Sequence, residues 1–227
     1  MTGSVSVNGR TLWKASPATK VVYHKFATRR LQCCAGKRGR NSKKYAAPLP
    51  APTGTSLRPA VFRGVEEDHR FEQFFYDDAT IERLFKLVKK FEHPLLMCNP
   101  TLAVKAEEAG MDYLLLDRDL RFKFLKSFRA FELTSPFVLR FPYDAIFVDP
   151  PFSNITLEQL HKTIRSIAGT QDQLDAPVFL VFNGDREEQI KKVFKEYNLQ
   201  RKYPALRYRS VKDDMQDKIF LFAPIGC

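Results

Sequence analysis

What the chain lacks narrows it first. No stretch approaches the roughly 18 apolar residues that a membrane-crossing helix needs, so neither a transmembrane span nor a membrane partner is expected. Cysteines are few: Cys33, Cys34, Cys98 and Cys227, with no Cys-x-x-Cys among them, and His24, His69, His93 and His161 are scattered. That spacing argues against a zinc site or any other metal centre and against a disulfide framework, and it suits a reducing compartment. Acidic residues are missing altogether from residues 1–65, which carry six lysines and seven arginines. The other 162 residues hold 24 basic and 26 acidic side chains, so the formal net charge of +11 belongs to the amino-terminal segment.

Residues 1–65 therefore read as a separate basic extension. Ser, Thr, Gly, Lys and Arg dominate it, it ends in Ala46-Ala47-Pro48-Leu49-Pro50-Ala51-Pro52-Thr53-Gly54, and it has no sustained apolar period. An acid-free, Arg- and Ser-containing segment is the composition of an organelle transit peptide, with Val22, Phe26, Arg29 and Arg30 along a weakly amphipathic helix. The same charges, densest at Lys37, Arg38, Arg40, Lys43 and Lys44, also suit an arm that neutralises phosphates. A solvated tail with no special role is the plainer alternative. A mitochondrial or other organellar address is favoured over the cytoplasm.

From Glu66 the composition becomes that of a globular domain, residues 66–227. Asp77 or Asp78 opens a helix with Ile81, Leu84, Phe85 and Val88 on one face. Leu95 to Cys98 form a strand, Asn99-Pro100-Thr101 turns into a helix that stops at Gly110, and Tyr113 to Leu116 form a second strand ending at Asp117. Thr156, with Gln159 three residues on, caps a helix marked by Leu157, Leu160, Ile164 and Ile167. Val178 to Phe182 form another buried strand, and Gly184 leads to a helix with Ile190, Val193 and Phe194. The tail predicts two strands, Tyr203 to Tyr208 and Ile219 to Ala223, around a polar turn from Lys212 to Asp217. Strands alternating with helices indicate an α/β sheet.

The chain is organised around Tyr143-Asp144-Ala145-Ile146-Phe147-Val148-Asp149-Pro150-Pro151-Phe152. Ile146 to Val148 have the two-sided apolarity of a buried parallel strand. Pro150 and Pro151 cannot donate to a ladder and stop it abruptly, leaving the Asp149 carboxylate and the Phe152 ring at the sheet's carboxyl edge, where open α/β sheets bind ligands. An acid with an adjacent carbonyl and a flat ring suits methyl transfer to a planar amine. Asp149 and the Pro150 carbonyl would accept its two N–H bonds while Phe152 stacks on an extruded base. A strand-end Asp capping a proline turn, with Phe152 in the core, is the structural alternative.

Asp-Pro-Pro-Phe after an apolar strand resembles the [Asp/Asn]-Pro-Pro-[Phe/Tyr/Trp] signature of class I S-adenosylmethionine-dependent amino-methyltransferases. More narrowly, residues 70–224 resemble the N6-adenine methyltransferase-like family, some members of which methylate a lysine of translation elongation factor 1-alpha. The blocks that carry this are Gln73-Phe74-Phe75-Tyr76, Leu95-Leu96-Met97-Cys98-Asn99-Pro100, Leu116 to Phe122, the proline corner and Glu187-Glu188-Gln189. The resemblance implies a Rossmann-like fold with a seven-stranded, mostly parallel sheet and helices on both faces, and S-adenosyl-L-methionine as cofactor. It implies cofactor contacts from Gln73, Phe74, Tyr76, Cys98, Asn99 and Pro100. Asp117, at the end of the second strand, is placed to accept ribose hydroxyls, with Asp119 as the alternative; Arg121 and Phe122 are expected to be structural.

One departure stands out. The Gly-x-Gly loop that most class I methyltransferases place after the first strand is absent, and the narrower family also replaces it with small residues and proline. Three functions follow as expectations. The first is methylation of N6 of adenine in RNA or a ribonucleoprotein, with the basic arm supplying affinity. The second is methylation of a lysine in a translation elongation factor. The third is an inactive methyltransferase-fold component of an organellar ribosome or its assembly intermediates.

Overall fold

The computed structural model describes residues 64–226. Seven strands, β1 (Pro94–Met97), β2 (Leu114–Asp117), β3 (Phe128–Ala130), β4 (Ala145–Val148), β5 (Val178–Asn183), β6 (Leu199–Lys202) and β7 (Ile219–Pro224), form one sheet in the order β3-β2-β1-β4-β5-β7-β6. The pairs from β3 across to β5 are parallel, and β7 runs antiparallel to both β5 and β6. The helices are α1 (Asp78–Val88), α2 (Pro100–Glu108), α3 (Leu157–Ser166), α4 (Gln171–Leu174), α5 (Glu187–Val193) and α6 (Asp213–Gln216).

Alternate residues of each central strand feed opposite cores. Leu96, Leu115, Phe147, Phe179 and Val181 pack with Ile81, Leu84 and Phe85 of α1 and with Leu102, Ala103 and Ala106 of α2. Leu95, Met97, Leu116, Ile146, Val148, Leu180 and Phe182 pack with Leu160 and Ile164 of α3 and Ile190 of α5. Burial on both faces is why these strands are apolar throughout rather than alternating. Phe147 and Phe179, partners in register between β4 and β5, stack with centroids 4.4 Å apart and planes 5° apart.

Local chemistry starts the helices. Asp77 caps α1 by accepting the Thr80 amide at 2.7 Å. Thr156 and Gln159 make a reciprocal capping box on α3 at 3.0 and 3.1 Å. Asn99 caps α2, and Pro100 occupies its first turn, where a missing N–H costs nothing.

The carboxyl-terminal expectation needs correction. The strand beside β7 is Leu199–Lys202, not 203–208. Tyr203 has φ +63, a left-handed residue that breaks the extended run, and Tyr208 makes only an isolated bridge to Tyr76. The polar stretch 212–217 contains α6 rather than a plain turn. β3 and α4 have too few residues to show a period in the sequence.

Candidate active site

Sheet order reverses direction between β1 and β4, and the carboxyl ends of β1, β2 and β4 meet there. The ladder runs slightly past the strands: the Cys98 amide donates to the Leu116 carbonyl at 2.8 Å, and the Asp149 amide to the Met97 carbonyl at 3.1 Å. The loops after β1 and β4 thus leave the sheet from fixed points.

Cys98 has φ +52. The left-handed conformation that glycine would supply for free is held here by a residue with a side chain, at a cost of about 1 kcal/mol. The missing glycines therefore do not remove the sharp exit from β1 that brings backbone to a ligand.

A cavity of about 240 Å³ opens at this edge. Asp117 and Arg118 line it from β2, Cys98, Asn99 and Pro100 from the β1–α2 turn, and Asp149, Pro150, Pro151 and Phe152 from the end of β4. Glu72, Gln73 and Phe74 come from the segment before α1, Glu132 follows β3, Tyr208 and Val211 come from the stretch leading into α6, and Met215 from α6 itself.

Asp149 is half-buried, with its carboxylate facing two phenols. Tyr76 Oη donates to Oδ2 at 2.7 Å, and Tyr208 Oη lies 3.3 Å from Oδ1 and 3.4 Å from Oδ2. Burial pushes the carboxyl up to about 7, against the opposing pull of both hydroxyls. The Phe152 ring packs edge-on against Phe182 at 5.0 Å. Asp117 is held by the Asp119 amide, which donates to its Oδ1 at 2.9 Å. Burial raises Asp117 to about 6, with that amide working in the opposite sense and the Asp119 charge adding to the rise.

Gln73, Phe74, Cys98, Asn99, Pro100 and Asp117 therefore share one cavity with the four residues of the proline corner. Two expected cofactor contacts, Tyr76 and Asp119, do not line it. Tyr76 is 1% exposed and sits behind Asp149, so its hydroxyl is spent on that carboxylate. Asp119, 3% exposed, is gripped by Arg121 Nη2 at 2.7 Å and Gln73 Nε2 at 3.1 Å. Burial alone would raise the Asp119 pKa, but the Arg121 hydrogen bonds outweigh it and hold the group below the usual range. It fastens the segment that carries Gln73, whose Oε1 also accepts from Arg121 at 3.0 Å. Lys37, Arg38, Arg40, Lys43 and Lys44 lie outside the described residues.

Sequence reasoning missed Tyr208, Glu72 and Glu132. Tyr208 sits between two arginines in a polar tail, and only its pairing with the Tyr76 segment turns it toward Asp149. Glu72 accepts from the Ser153 amide at 3.1 Å and Asn154 Nδ2 at 3.0 Å, linking the segment before α1 to the proline corner.

A family model described as "Probable N6-adenine methyltransferase" matches residues 67–218. The chain belongs to that family. It is an S-adenosyl-L-methionine-dependent methyltransferase with the Rossmann-like class I fold, which the strand order already displays. No curated protein matches it. Among solved structures, a TehB-like SAM-dependent methyltransferase from Corynebacterium glutamicum is 16% identical, covers 65% of this chain and 86% of its own, and has a TM-score of 0.45. The N-methyltransferase NodS from Bradyrhizobium japonicum is 10% identical over 65% of this chain and 96% of its own, with a TM-score of 0.39. The E. cuniculi Mtq2–Trm112 complex, described as responsible for methylation of the eRF1 translation termination factor, aligns at 12% identity over 66% and 96%, with a TM-score of 0.35.

The residues of this N6-adenine methyltransferase family member fit the cofactor. Asp117 would supply a carboxylate for paired ribose hydroxyls, and Cys98 to Pro100 would bring backbone and the first turn of α2 beside the bound group. Asp117 and Asp149 line the same cavity, so a cofactor held at the first would lie beside the proline corner.

Proposed function

We propose that the protein methylates an amino nitrogen and that the acceptor is N6 of adenine in RNA. The observation that carries this is the half-buried Asp149 carboxylate, set beside Pro150 and Phe152 on the cavity that also holds Asp117. S-adenosyl-L-methionine, when bound, supplies a methyl group on a sulfonium, an electrophilic carbon with a neutral thioether as leaving group. Asp149 Oδ1 and the Pro150 carbonyl accept the two N–H bonds of the amine, drawing its lone pair out of conjugation and toward that carbon. As the N–C bond forms, the nitrogen sheds a proton, and Asp149 is hydrogen-bonded where it can take it. Phe152 offers the acceptor base a flat face, worth about 1–3 kcal/mol in base-binding proteins. Positioning and a preorganised carboxylate account for the rate.

The basic residues of the extension, Lys37, Arg38, Arg40, Lys43 and Lys44, would supply phosphate contacts to a domain whose own net charge is near neutral. Their acid-free surroundings support an organellar destination, which the position of a fluorescent fusion in cells would test.

A second reading has its own support. Glu72 and Glu132 on the cavity wall suit an approaching cation, and a lysine of a translation elongation factor would bring one. Incubating the full chain with methyl-labelled cofactor and either total RNA or total protein separates the two. Label in adenine of RNA supports the first reading, and label confined to protein replaces it with the second. No label in either, with no cofactor binding by calorimetry, would favour a fold kept without turnover in a ribosomal particle.

A further inference from the structure

The Asp149 carboxylate has an unusual setting for a charged group. Burial raises its pKa, and the interactions that oppose the rise come from Tyr76 and Tyr208 alone. The titratable groups facing it are Tyr76 from the segment before α1, Tyr208 from the segment before α6, and Cys98 from the end of β1. None is a cation. The guanidinium on the cavity wall, that of Arg118, pairs with Glu132 at 3.4 Å. A carboxylate in a desolvated corner needs either a counter-ion or hydrogen-bond donors to stay charged.

The geometry points to Tyr76 and Tyr208 as a two-hydroxyl clamp that fixes the orientation of Asp149 and holds it in the charged form that accepts the amine. Both are positioning residues acting through Asp149, and the inference rests on the amino-nitrogen reading above. Tyr76 has one proton to give and one direction in which to give it. Asn99 Nδ2 donates to the Tyr76 oxygen at 3.4 Å, so the hydroxyl hydrogen goes to Asp149 Oδ2 at 2.7 Å. With Oδ2 engaged from behind, Oδ1 is the oxygen left for the acceptor, and it receives only the longer contact from Tyr208 at 3.3 Å.

The clamp is assembled by two segments distant in sequence. Tyr76 and Tyr208 form an antiparallel bridge, flanked by the Asp77 amide donating to the Arg207 carbonyl at 3.0 Å and the Arg209 amide to the Phe75 carbonyl at 2.8 Å. Their rings lie 5.0 Å apart at 33°. Gln216 of α6 receives the Tyr208 amide at 2.7 Å, which locks the second tyrosine from the far side. Burial lifts both phenols well above their ordinary range, so neither loses its proton where the enzyme works.

Tyr76→Phe and Tyr208→Phe keep the rings and remove the donors. The test uses the full chain with labelled cofactor and whichever of total RNA or total protein takes label, measuring kcat from pH 5.5 to 9.5. Transfer needs the charged carboxylate, so activity rises with pH. Loss of a donor to that charge moves the midpoint upward by about one pH unit for Tyr76→Phe and less for Tyr208→Phe. The Tyr76→Phe defect should be roughly tenfold well below the midpoint and fade toward pH 9.5. An acceptor-independent measurement runs beside it: carbon-13 labelling of aspartate carboxyls, with the Asp149 resonance assigned as the one absent from Asp149→Asn. Its titration midpoint should move by the same amount. A kcat loss equal at every pH, with the Asp149 resonance titrating as in the parent, would reduce the tyrosines to packing and overturn the clamp. Activity retained by Asp149→Ala, which removes the acceptor altogether, would instead overturn the functional reading itself.

Discussion

Replacing Asp149 by Asn should stabilise the fold, and the gain should depend on pH. The Asp149 carboxyl is raised from 3.8 to about 7 by burial. Between those values the native state keeps a proton that the unfolded chain has released, so native stability falls as pH rises from about 4 to about 7 and stays low above that. Three units of difference correspond to a penalty of about 4 kcal/mol at pH 8, an upper bound for a half-buried group. Asn carries no charge to desolvate. Its Oδ1 still accepts from Tyr76, and the raised value already includes what the two phenols return to the charge, so half-burial is what brings the gain below that bound. The net expectation is a gain of roughly 2–3 kcal/mol at pH 8 that shrinks toward zero near pH 4, because the native parent is already protonated there. Urea denaturation of both proteins across pH 4 to 8.5 measures this directly. A gain that is the same at every pH, or an Asn variant less stable than the parent at pH 8, would show that the corner does not strain the charge and would refute the desolvation argument. The same corner would then owe its chemistry to shape alone.

Other consequences follow from the same geometry. Cys98 sits at φ +52, so Cys98→Gly should be neutral or stabilising by up to about 1 kcal/mol and Cys98→Val destabilising by about 1–2 kcal/mol in denaturant titrations. Asp117→Ala should weaken cofactor binding by calorimetry ten- to a hundredfold with little change in melting temperature, matching the loss of about 1.5–3 kcal/mol of charge-assisted hydrogen bonding; unchanged affinity would move the ribose site elsewhere. Phe147→Ala removes half of the stacked pair between β4 and β5 and should cost about 3–5 kcal/mol of unfolding free energy. Neutralising Lys37, Arg38, Arg40, Lys43 and Lys44 together should flatten the logarithmic salt dependence of single-stranded RNA binding by roughly 3.5, from about 0.7 per lost phosphate contact.

Much of the fold was legible because its evidence is local. Caps at Asp77 and Thr156, the all-apolar runs at 95–97, 146–148 and 178–182, and the proline stop after Asp149 each express a backbone or burial requirement within a few residues. The proline corner, Asp117 and the Cys98 to Pro100 turn were legible as strand ends for the same reason, and the carboxyl ends of strands are where open α/β sheets bind ligands. What failed was non-local. Tyr203 to Tyr208 alternates like a strand, yet Tyr203 turns left-handed and the edge position beside β7 goes to Leu199–Lys202.

The sequence by itself determined the α/β class, the acid-and-ring corner and the confinement of net positive charge to residues 1–65, because composition and periodicity act through neighbouring residues. Only the tertiary structure decided which groups reach Asp149. Tyr76 and Tyr208 stand 132 positions apart, with Asp149 between them in the chain, and meet only because the segments before α1 and before α6 pair with each other above the end of β4. Hydrogen bonds of that span leave no spacing in the sequence, since their partners are chosen by how the sheet is covered and not by the order of residues.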